Sequence, residues 1–443
     1  MIYYGFCALR EVFRLGADTK VTNIFSSIHK VFFITLMFFV AAAFIVDPNP
    51  ASLWDGFIAI LRAPDILVTD YVYVGGLGSS FITAAFTSMV ALSMLVLFKH
   101  QAGSATISSL WLVLGFAFFG KNPLNIIPIF FGGWLYAKFM NQSFNVNILT
   151  CLVAASMAPA VTQKVFIGTD SFYLNIAFAI CMGVFLGFIF DPVAKNLFKV
   201  HDGFNLYNGG FTAGMLAIII TSTLATYDIH YEMNSQWSSG NNNVIAPLLI
   251  IISLWLIFVG LYMHGDVKDA FRRTLSLRQN QNNYFPDYGY ICYVNMGILG
   301  IFCTLVALAL GFEINGLALG AILSVMGFGA NGKQVYSVSS LMAGVALATF
   351  TSPLSLHAPG IIVIFFFVAC LSPIPAKFGW HWGVIAGFLH VHIATSIAVP
   401  SGGINLYNNG VAAGFVTVLL LPVIRFINLR KENAKEAAAN ANK

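Results

Sequence analysis

The chain has 443 residues, of which 58% are hydrophobic, 15% aromatic and only 9% charged, and its mean hydropathy is +0.82. A water-soluble protein carries about 25% charged residues, so this composition excludes a soluble globular protein. It predicts a polytopic membrane protein, whose first partner is the lipid bilayer. The net charge of +5 lies mostly in loops and tails, where it indicates membrane topology rather than binding to nucleic acid.

The first long apolar run ends at Asp47 without a small-residue cleavage site, so we expect an uncleaved first helix behind an amphipathic segment at 1–28. A transmembrane helix needs about 20 mostly apolar residues. The sequence predicts such helices at 29–46, 72–98, 173–191, 205–223, 244–264, 289–311, 382–399 and 404–426. Shorter apolar runs, typical of tilted, broken or re-entrant segments, lie at 106–120, 124–140, 147–162, 315–329, 336–351 and 358–372.

The distribution of basic residues sets the expected orientation. Lys and Arg cluster before residue 31, around 195–199, at 268–278 and after Arg425, whereas the loop 225–243 has none. This pattern predicts that the loop is external and that both termini are cytoplasmic. The charged tail after Arg430 is expected to be a frayed helix or disordered.

A series of similar landmarks recurs in the same order and indicates two related halves. The pairs are Asp70-Tyr71 with Asp287-Tyr288, Gly115-Phe116 with Gly327-Phe328, Gly120-Lys121 with Gly332-Lys333, and the phrase 203–214 with 403–414. Their offset falls from 217 (287 − 70) through 212 (333 − 121) to 200 (405 − 205), as small gaps would produce. The chain therefore divides into a first repeat at 70–224 and a second at 287–426.

The segments outside the two repeats complete the predicted organisation. Residues 1–69 hold the amphipathic segment and the first helix, 225–286 hold the external loop, a connecting helix and a basic loop, and 427–443 form the cytoplasmic tail. Because the connecting helix 244–264 is a single crossing, it inverts the second repeat relative to the first. In inverted repeats, substrate sites lie near the membrane midplane, where the halves meet.

The doubled phrase Asn-Leu-Tyr-Asn provides most of the candidate binding residues. Asn and Tyr side chains offer neutral donors and acceptors, and the start of a helix favours an anion or a carbonyl oxygen. The same residues also suit helix capping and close packing through Gly-x3-Gly, and the sequence does not decide between these roles. The predicted site residues in the two phrases are Asn205, Tyr207, Asn208, Gly210, Asn405, Tyr407, Asn408 and Gly410.

Lys121 and Lys333 each interrupt an apolar stretch beside a helix breaker. A charge within a membrane segment is costly and is a functional hypothesis by default. At mid-depth the two lysines would attract an anion, whereas at an interface their ammonium groups would only extend toward water. Both positions stay open at this point.

Two further features concern helix breaks and histidines. Pro159 and Pro373 end corresponding segments, and each predicts either a broken helix or an ordinary span that ends at a loop. His390 lies before the second phrase, where the first repeat has Phe190. Its alternatives are a pore-lining or proton-coupling group and a hydrogen-bonded histidine of the core or interface.

No sequence pattern supports catalysis, since the chain lacks HExxH, a P-loop and GxSxG. The six cysteines show no CxxC pair and no spacing typical of metal ligands, and we predict no disulfide, no metal and no cofactor. The rival classes are a membrane-embedded enzyme that uses histidines and a scaffold or assembly factor that transports nothing.

The phrase at 201–214 and its second copy at 402–414 resemble a family of bacterial membrane proteins designated domain of unknown function 1576. The resemblance covers most of the chain and implies a bacterial inner-membrane location. A weaker likeness, at the level of the fold alone, links the chain to urea-channel proteins, which also have inverted halves.

Together these observations predict an all-α polytopic membrane protein with two inverted repeats and broken or re-entrant helices. We expect a transporter or channel for a small polar or anionic solute or ion, and association into a homo-oligomer stays open. Asparagines and tyrosines of the doubled phrase would line the site, with Lys121, Lys333 and His390 close to it.

Overall fold

A computed structural model of the protein describes residues 27–65, 69–166, 171–228, 235–277, 289–397, 400 and 402–441. Several residues used in the sequence analysis lie outside this part of the chain. They are the residues before Ser27, positions 229–234 of the loop predicted to be external, Arg278 of the basic cluster, and the landmark Asp287-Tyr288.

The described residues of the first half of the chain form nine α-helices. They are α1 (Ser27–Val46), α2 (Pro50–Leu61), α3 (Tyr71–Leu97), α4 (Ser104–Phe116), α5 (Ile127–Phe139), α6 (Ile148–Ala154), α7 (Ala158–Phe166), α8 (Phe172–His201) and α9 (Asn208–Ala225). The second half repeats this order of long and short helices. They are α10 (Asn242–His264), α11 (Val267–Ser276), α12 (Ile291–Ala309), α13 (Gly316–Phe328), α14 (Val335–Thr351), α15 (Pro359–Phe367), α16 (Pro373–Phe378), α17 (Trp380–Ile397) and α18 (Asn408–Ala441).

Seven helices of the described chain are long and apolar enough to cross a membrane, namely α1, α3, α8, α9, α10, α12 and α18. Shorter apolar helices lie between them. Helix α13 is buried along its whole length, and α4 is buried except at Ala105. These helices confirm the prediction of an all-α, multi-pass membrane protein. The predicted tail continues α18 as a helix to Ala441.

The equivalent helices α4 and α13 pack against each other in opposite directions. A methyl group on Gly115 would lie 2.5 Å from the carbonyl oxygen of Gly320, and one on Gly327, further along α13, would meet Trp111, nearer the start of α4. The carboxy-terminal part of each helix thus faces an earlier part of the other helix. This antiparallel pairing of equivalent helices confirms that the two repeats are inverted.

The helices that follow the doubled phrase, α9 and α18, cross near their amino-terminal ends. A Cβ atom on Gly410 would lie 2.7 Å from Cα of Gly210 and 2.8 Å from the carbonyl oxygen of Tyr207. Only a residue without a side chain permits this approach, as in small-xxx-small helix contacts. The crossing brings the start of each repeat's last helix to the contact between the halves.

Each repeat also contains a helix broken by a 3₁₀ turn. The turn Ala155–Met157 separates α6 from α7, and Val368–Leu371 separates α15 from α16. Pro159 and Pro373 lie in the first turn of the second piece, where a missing N–H costs no helical hydrogen bond. The structure thus shows the broken-helix alternative of the sequence analysis at both positions.

A long helix precedes each repeat. Helix α10 packs along α12, just as α1 packs along α3. The helix predicted as a connector therefore occupies in the second half the place that α1 occupies in the first. The domain limits drawn from the sequence, at 70 and 287, stay a prediction.

We expect Gly410→Val to destabilise the protein strongly, because the new side chain would overlap the backbone of Gly210. Overpacking of this kind costs about 1–3 kcal/mol. Gly360→Val is the matched control, since a Cβ atom there meets nothing within 4 Å. Thermal unfolding of the purified protein in detergent would measure both effects. Equal unfolding midpoints for the two variants would contradict the close crossing.

Candidate functional site

The site begins where α4 and α13 end in equivalent breaks. Gly120 has φ +91° and Gly332 has φ +81°, a left-handed conformation that glycine adopts without steric cost. Each glycine turns the chain away from its helix, and a lysine follows at once. The two breaks thus present Lys121 and Lys333 at equivalent points of the two repeats.

Lys121 reaches across to the other repeat. Its Nζ donates hydrogen bonds to the hydroxyl of Tyr407 at 2.6 Å and to the carbonyl oxygen of Leu152 at 3.4 Å. The same nitrogen lies 5.5 Å from the ring centroid of Phe116 and 4.9 Å from that of Tyr407, where the negative ring faces attract a cation. We call Lys121, Phe116 and Tyr407 the first triad.

Lys333 has the equivalent surroundings but not the equivalent hydrogen bonds. Its Nζ lies 5.1 Å from the ring centroid of Phe328 and 5.3 Å from that of Tyr207. Among the described residues, neither this nitrogen nor the buried hydroxyl of Tyr207 has a hydrogen-bond partner. We call Lys333, Phe328 and Tyr207 the second triad. The first triad is closed by its own hydrogen bond, whereas the second leaves a donor and a hydroxyl unused.

Both lysines are 0% exposed, so the structure places them inside the protein rather than at an interface with water. In the part of the chain that the structure describes, no carboxylate oxygen lies within 4.0 Å of either ammonium nitrogen. A buried ammonium without a counter-ion is costly. The two triads therefore form a buried region with two amine groups and no carboxylate partner among the described residues.

The asparagines of the doubled phrase hold the loops that carry the two tyrosines. Asn205 Oδ1 accepts from the backbone N–H of Tyr207 and Asn405 Oδ1 accepts from that of Tyr407, both at 2.9 Å. Asn205 Nδ2 also donates to the carbonyl oxygen of Gly410 at 2.8 Å, across the repeats. These two asparagines thus position the tyrosines, which is the capping and packing role of the sequence analysis.

Two predicted site residues lie away from the triads. Asn208 contacts only its own repeat in the described hydrogen bonds, with Oδ1 2.8 Å from His201 Nε2 and Nδ2 donating to the carbonyl oxygen of Ala194. His390 is buried, and its Nε2 lies 3.1 Å from Asn409 Oδ1. The structure thus places His390 in a hydrogen-bonded core position.

The His390–Asn409 contact explains a departure from the repeat symmetry. At the equivalent positions of the first repeat, Phe190 approaches the site of a Cβ atom on Gly209 to 3.9 Å. The first repeat thus pairs the bulky apolar Phe190 with Gly209, and the second repeat pairs His390 with Asn409 through a hydrogen bond. Both changes are visible in the sequence, and only the structure shows that they compensate.

A cavity of about 280 Å³ lies near the first triad. Its wall includes Phe119, Phe367 and Leu406, while Asn408 and Asn409 supply polar atoms. The ring of Phe367 lies 5.2 Å from that of Phe116. Phe367 thus connects the wall of the cavity with Phe116 of the first triad.

The sequence analysis missed one buried acid close to the site. Asp65, in the loop between α2 and α3, is 0% exposed and accepts hydrogen bonds from the side chains of Asn122 and Asn125. The feature of the sequence that could have identified it is an acidic residue followed directly by the apolar run Ile-Leu-Val at 66–68. Phe116 and Phe328 were present as repeat landmarks but not as neighbours of the lysines.

We expect Tyr407→Phe to destabilise the protein by about 1.5–3 kcal/mol, because it removes a hydrogen bond to a charged group. Tyr207→Phe is the symmetry-matched control, and we expect it to be neutral, since its hydroxyl bonds to no described residue. Thermal unfolding of the purified variants would measure the difference. The asymmetry of the triads is refuted if both substitutions lower the unfolding midpoint equally.

A family model described as "Protein of unknown function (DUF1576)" matches residues 49–226 and 267–426. The two matched regions begin beside α2 and α11, the short helices that occupy the same place in the two halves. No curated protein and no solved structure matches the chain.

Proposed function

Because the chain belongs to the family described as "Protein of unknown function (DUF1576)", whose description assigns no activity, we propose a function from the site itself. The protein moves a small anion or polar solute across the membrane, by secondary transport or facilitated permeation, through the contact between its two inverted repeats. The two triads bind the solute, with Lys121 and Lys333 supplying the positive charge.

The observation that carries this proposal is the pair of buried lysines. Each comes from a helix break in one repeat and faces a tyrosine of the other repeat, and no described carboxylate neutralises either charge. Intramembrane charges of this kind mark substrate or ion pathways. A small anion beside Lys333 and the Tyr207 hydroxyl would satisfy both groups at once.

Two further features favour an anion over a cation at this site. The amino-terminal ends of α9 and α18 meet at Gly210 and Gly410, and each helix end carries the positive end of a helix dipole. Inverted-repeat transporters use discontinuous helices in this way around anionic groups. The mainly apolar cavity whose wall includes Asn408 and Asn409 provides an approach to the first triad.

A second candidate function, a scaffold that transports nothing, rests on the close contact at Gly210 and Gly410. In that function the doubled phrase only seals the two repeats together, as the cross-repeat bond from Asn205 to Gly410 does. It leaves the charge and the unused donor of Lys333 without a purpose, and for this reason we favour transport. His390 stays a predicted contact of the solute.

We expect proteoliposomes that contain the purified protein to take up a small anion from a panel that also includes neutral solutes. Lys121→Met and Lys333→Met should each reduce the uptake about 10- to 100-fold, because each removes a charge-assisted contact worth about 1.5–3 kcal/mol. Lys377→Met is the matched control, since Lys377 is exposed and lies over the ring of Phe204. Absence of flux for every solute would favour the scaffold, whereas equal flux in all four proteins would keep transport and refute the role of the two lysines.

We further propose that the protein resides in a bacterial inner membrane with both termini in the cytoplasm. A fluorescent protein fused after Lys443 should therefore fold and fluoresce, because it stays in the cytoplasm. Alkaline phosphatase inserted after Asn241, in the loop predicted to be external, should be active. A fusion that does not fluoresce, together with an inactive alkaline phosphatase, would show the opposite topology.

A further inference from the structure

The carboxylate of Asp65 is buried and is held only by neutral donors. Its Oδ1 accepts from the hydroxyl of Tyr71 at 2.6 Å, and its Oδ2 accepts from Nδ2 of Asn122 at 3.0 Å and of Asn125 at 3.1 Å. In the described residues, no Lys, Arg or His nitrogen lies within 4.0 Å of it. A buried negative charge without a cation is costly, so this network favours an incoming positive charge.

The same hydrogen bonds tie Asp65 to the break that carries Lys121. Asn122 follows Lys121 directly, and its Oδ1 accepts from the backbone N–H groups of Leu124 and Asn125, each at 3.0 Å. Asn125 Nδ2 also donates to the carbonyl oxygen of Gly120 at 3.0 Å. Through Asn122 and Asn125, the carboxylate of Asp65 is therefore linked to the residues directly before and directly after Lys121.

The second repeat holds its break without a described acid. Asn295 Nδ2 donates to the carbonyl oxygens of Gly329 at 2.8 Å and Lys333 at 2.7 Å. The side-chain amide of Gln334, 212 positions after Asn122 (334 − 122), donates to the carbonyl oxygen of Leu277. The side-chain amides beside the break donate to a carboxylate in the first repeat and to backbone carbonyl oxygens in the second. Binding of a positive charge at that carboxylate would therefore affect only the first triad.

A second cavity reaches this network. It has a volume of about 540 Å³, and its wall includes Asn122, Asn125 and Thr162. Asn125 Nδ2 lies 2.9 Å from the hydroxyl of Thr162. The two side chains that donate to Asp65 Oδ2 therefore form part of the cavity wall, and the cavity lies apart from the one beside the first triad.

We propose that Asp65 is a proton-binding site, and that its protonation controls the first triad and thereby couples proton movement to anion movement. The coupling rests on the proposed transport function. The neighbours of the carboxylate are N–H and O–H donors, which repel a metal cation and leave it no oxygen ligands. A proton fits at Oδ1, because the Tyr71 hydroxyl can change from donor to acceptor, whereas an amide NH₂ cannot.

A hydronium ion in the aqueous phase gives up the proton: one O–H bond of the hydronium breaks, one O–H bond forms at Oδ1 of Asp65, and a water molecule is left. Loss of the negative charge weakens the hydrogen bonds from Asn122 and Asn125, because bonds to ionised acceptors are about twice as strong as neutral ones. The break then holds Lys121 less firmly against Tyr407. An anion can replace Tyr407 as the partner of Lys121, so that proton and anion are bound together.

The acid–base balance fits this role. Burial raises the pKa of Asp65 to about 7, and hydrogen bonds from Tyr71, Thr162, Asn125 and Asn122 oppose the rise. Asp65 therefore binds its proton as the pH falls through about 7 and releases it above. Of the described titratable and charged groups, Tyr71 alone bonds to the carboxylate. Arg62 on the same loop is exposed, and Lys121 turns toward Tyr407.

Infrared difference spectroscopy of the full-length purified protein, titrated from pH 5 to pH 9, tests the proton site without any need for flux. We expect one buried carboxylic-acid band with a midpoint near pH 7, and we expect Asp65→Asn to remove it. Asp191→Asn should keep the band, because Asp191 is equally buried but pairs with Lys195 at 2.6 Å. A band that persists in Asp65→Asn, or no band in the native protein, overturns the proposal.

Anion uptake into proteoliposomes with an imposed pH gradient tests the coupling. An inward proton gradient should accelerate uptake several-fold in the native protein and in Asp191→Asn, and it should have no effect in Asp65→Asn. Uptake that ignores the gradient in the native protein refutes the coupling and leaves anion transport intact. Absence of uptake refutes coupling and proposed function together, while the infrared band still decides whether Asp65 binds the proton.

Discussion

A helix that breaks inside an apolar core frees backbone groups that water cannot reach, and each of these groups needs a partner. In this protein the two repeats supply each other's partners. The backbone N–H of Leu206 donates to the carbonyl oxygen of Cys370 at 3.0 Å, and that of Leu406 donates to the carbonyl oxygen of Ser156 at 3.1 Å. Cys370 and Ser156 lie in the two 3₁₀ turns, so neither broken helix is complete without the loop of the other repeat.

This exchange determines where the side chains of the doubled phrase lie. Because Leu206 and Leu406 are fixed on the opposite repeat, the tyrosines that follow them are brought beside the lysine of that repeat. The glycines three residues after each tyrosine then permit the crossing of α9 and α18. The two backbone hydrogen bonds of Leu206 and Leu406 thus position both triads. The contact of each lysine with a tyrosine of the other repeat is a consequence of these bonds.

The sequence predicted a large part of this arrangement because its evidence is local or periodic. Apolar runs predict the helices, and proline marks the second piece of each broken helix. Lys121 is paired with Lys333 by an offset of 212 positions, which the Gly-Phe landmarks at 115 and 327 share. The sequence could not show that Tyr407 meets Lys121, because those residues are 286 positions apart (407 − 121) and only the three-dimensional fold joins them. Asp65 was missed for the same reason, since its partners Asn122 and Asn125 lie beyond two helices, α3 and α4.

The departures from symmetry carry more information about mechanism than the symmetry itself. Two identical triads would hold an anion equally well in either half, and nothing would favour movement between them. Here Lys121 already has a hydroxyl partner and a nearby acid network, whereas Lys333 has no described hydrogen-bond partner. In the transport that we propose, an anion would gain more by binding at Lys333 than by displacing Tyr407 from Lys121, until the contact between Lys121 and Tyr407 is weakened. A ligand shifts an equilibrium only through such a difference in affinity between two states, and in this chain Asp65 is the group placed to change it.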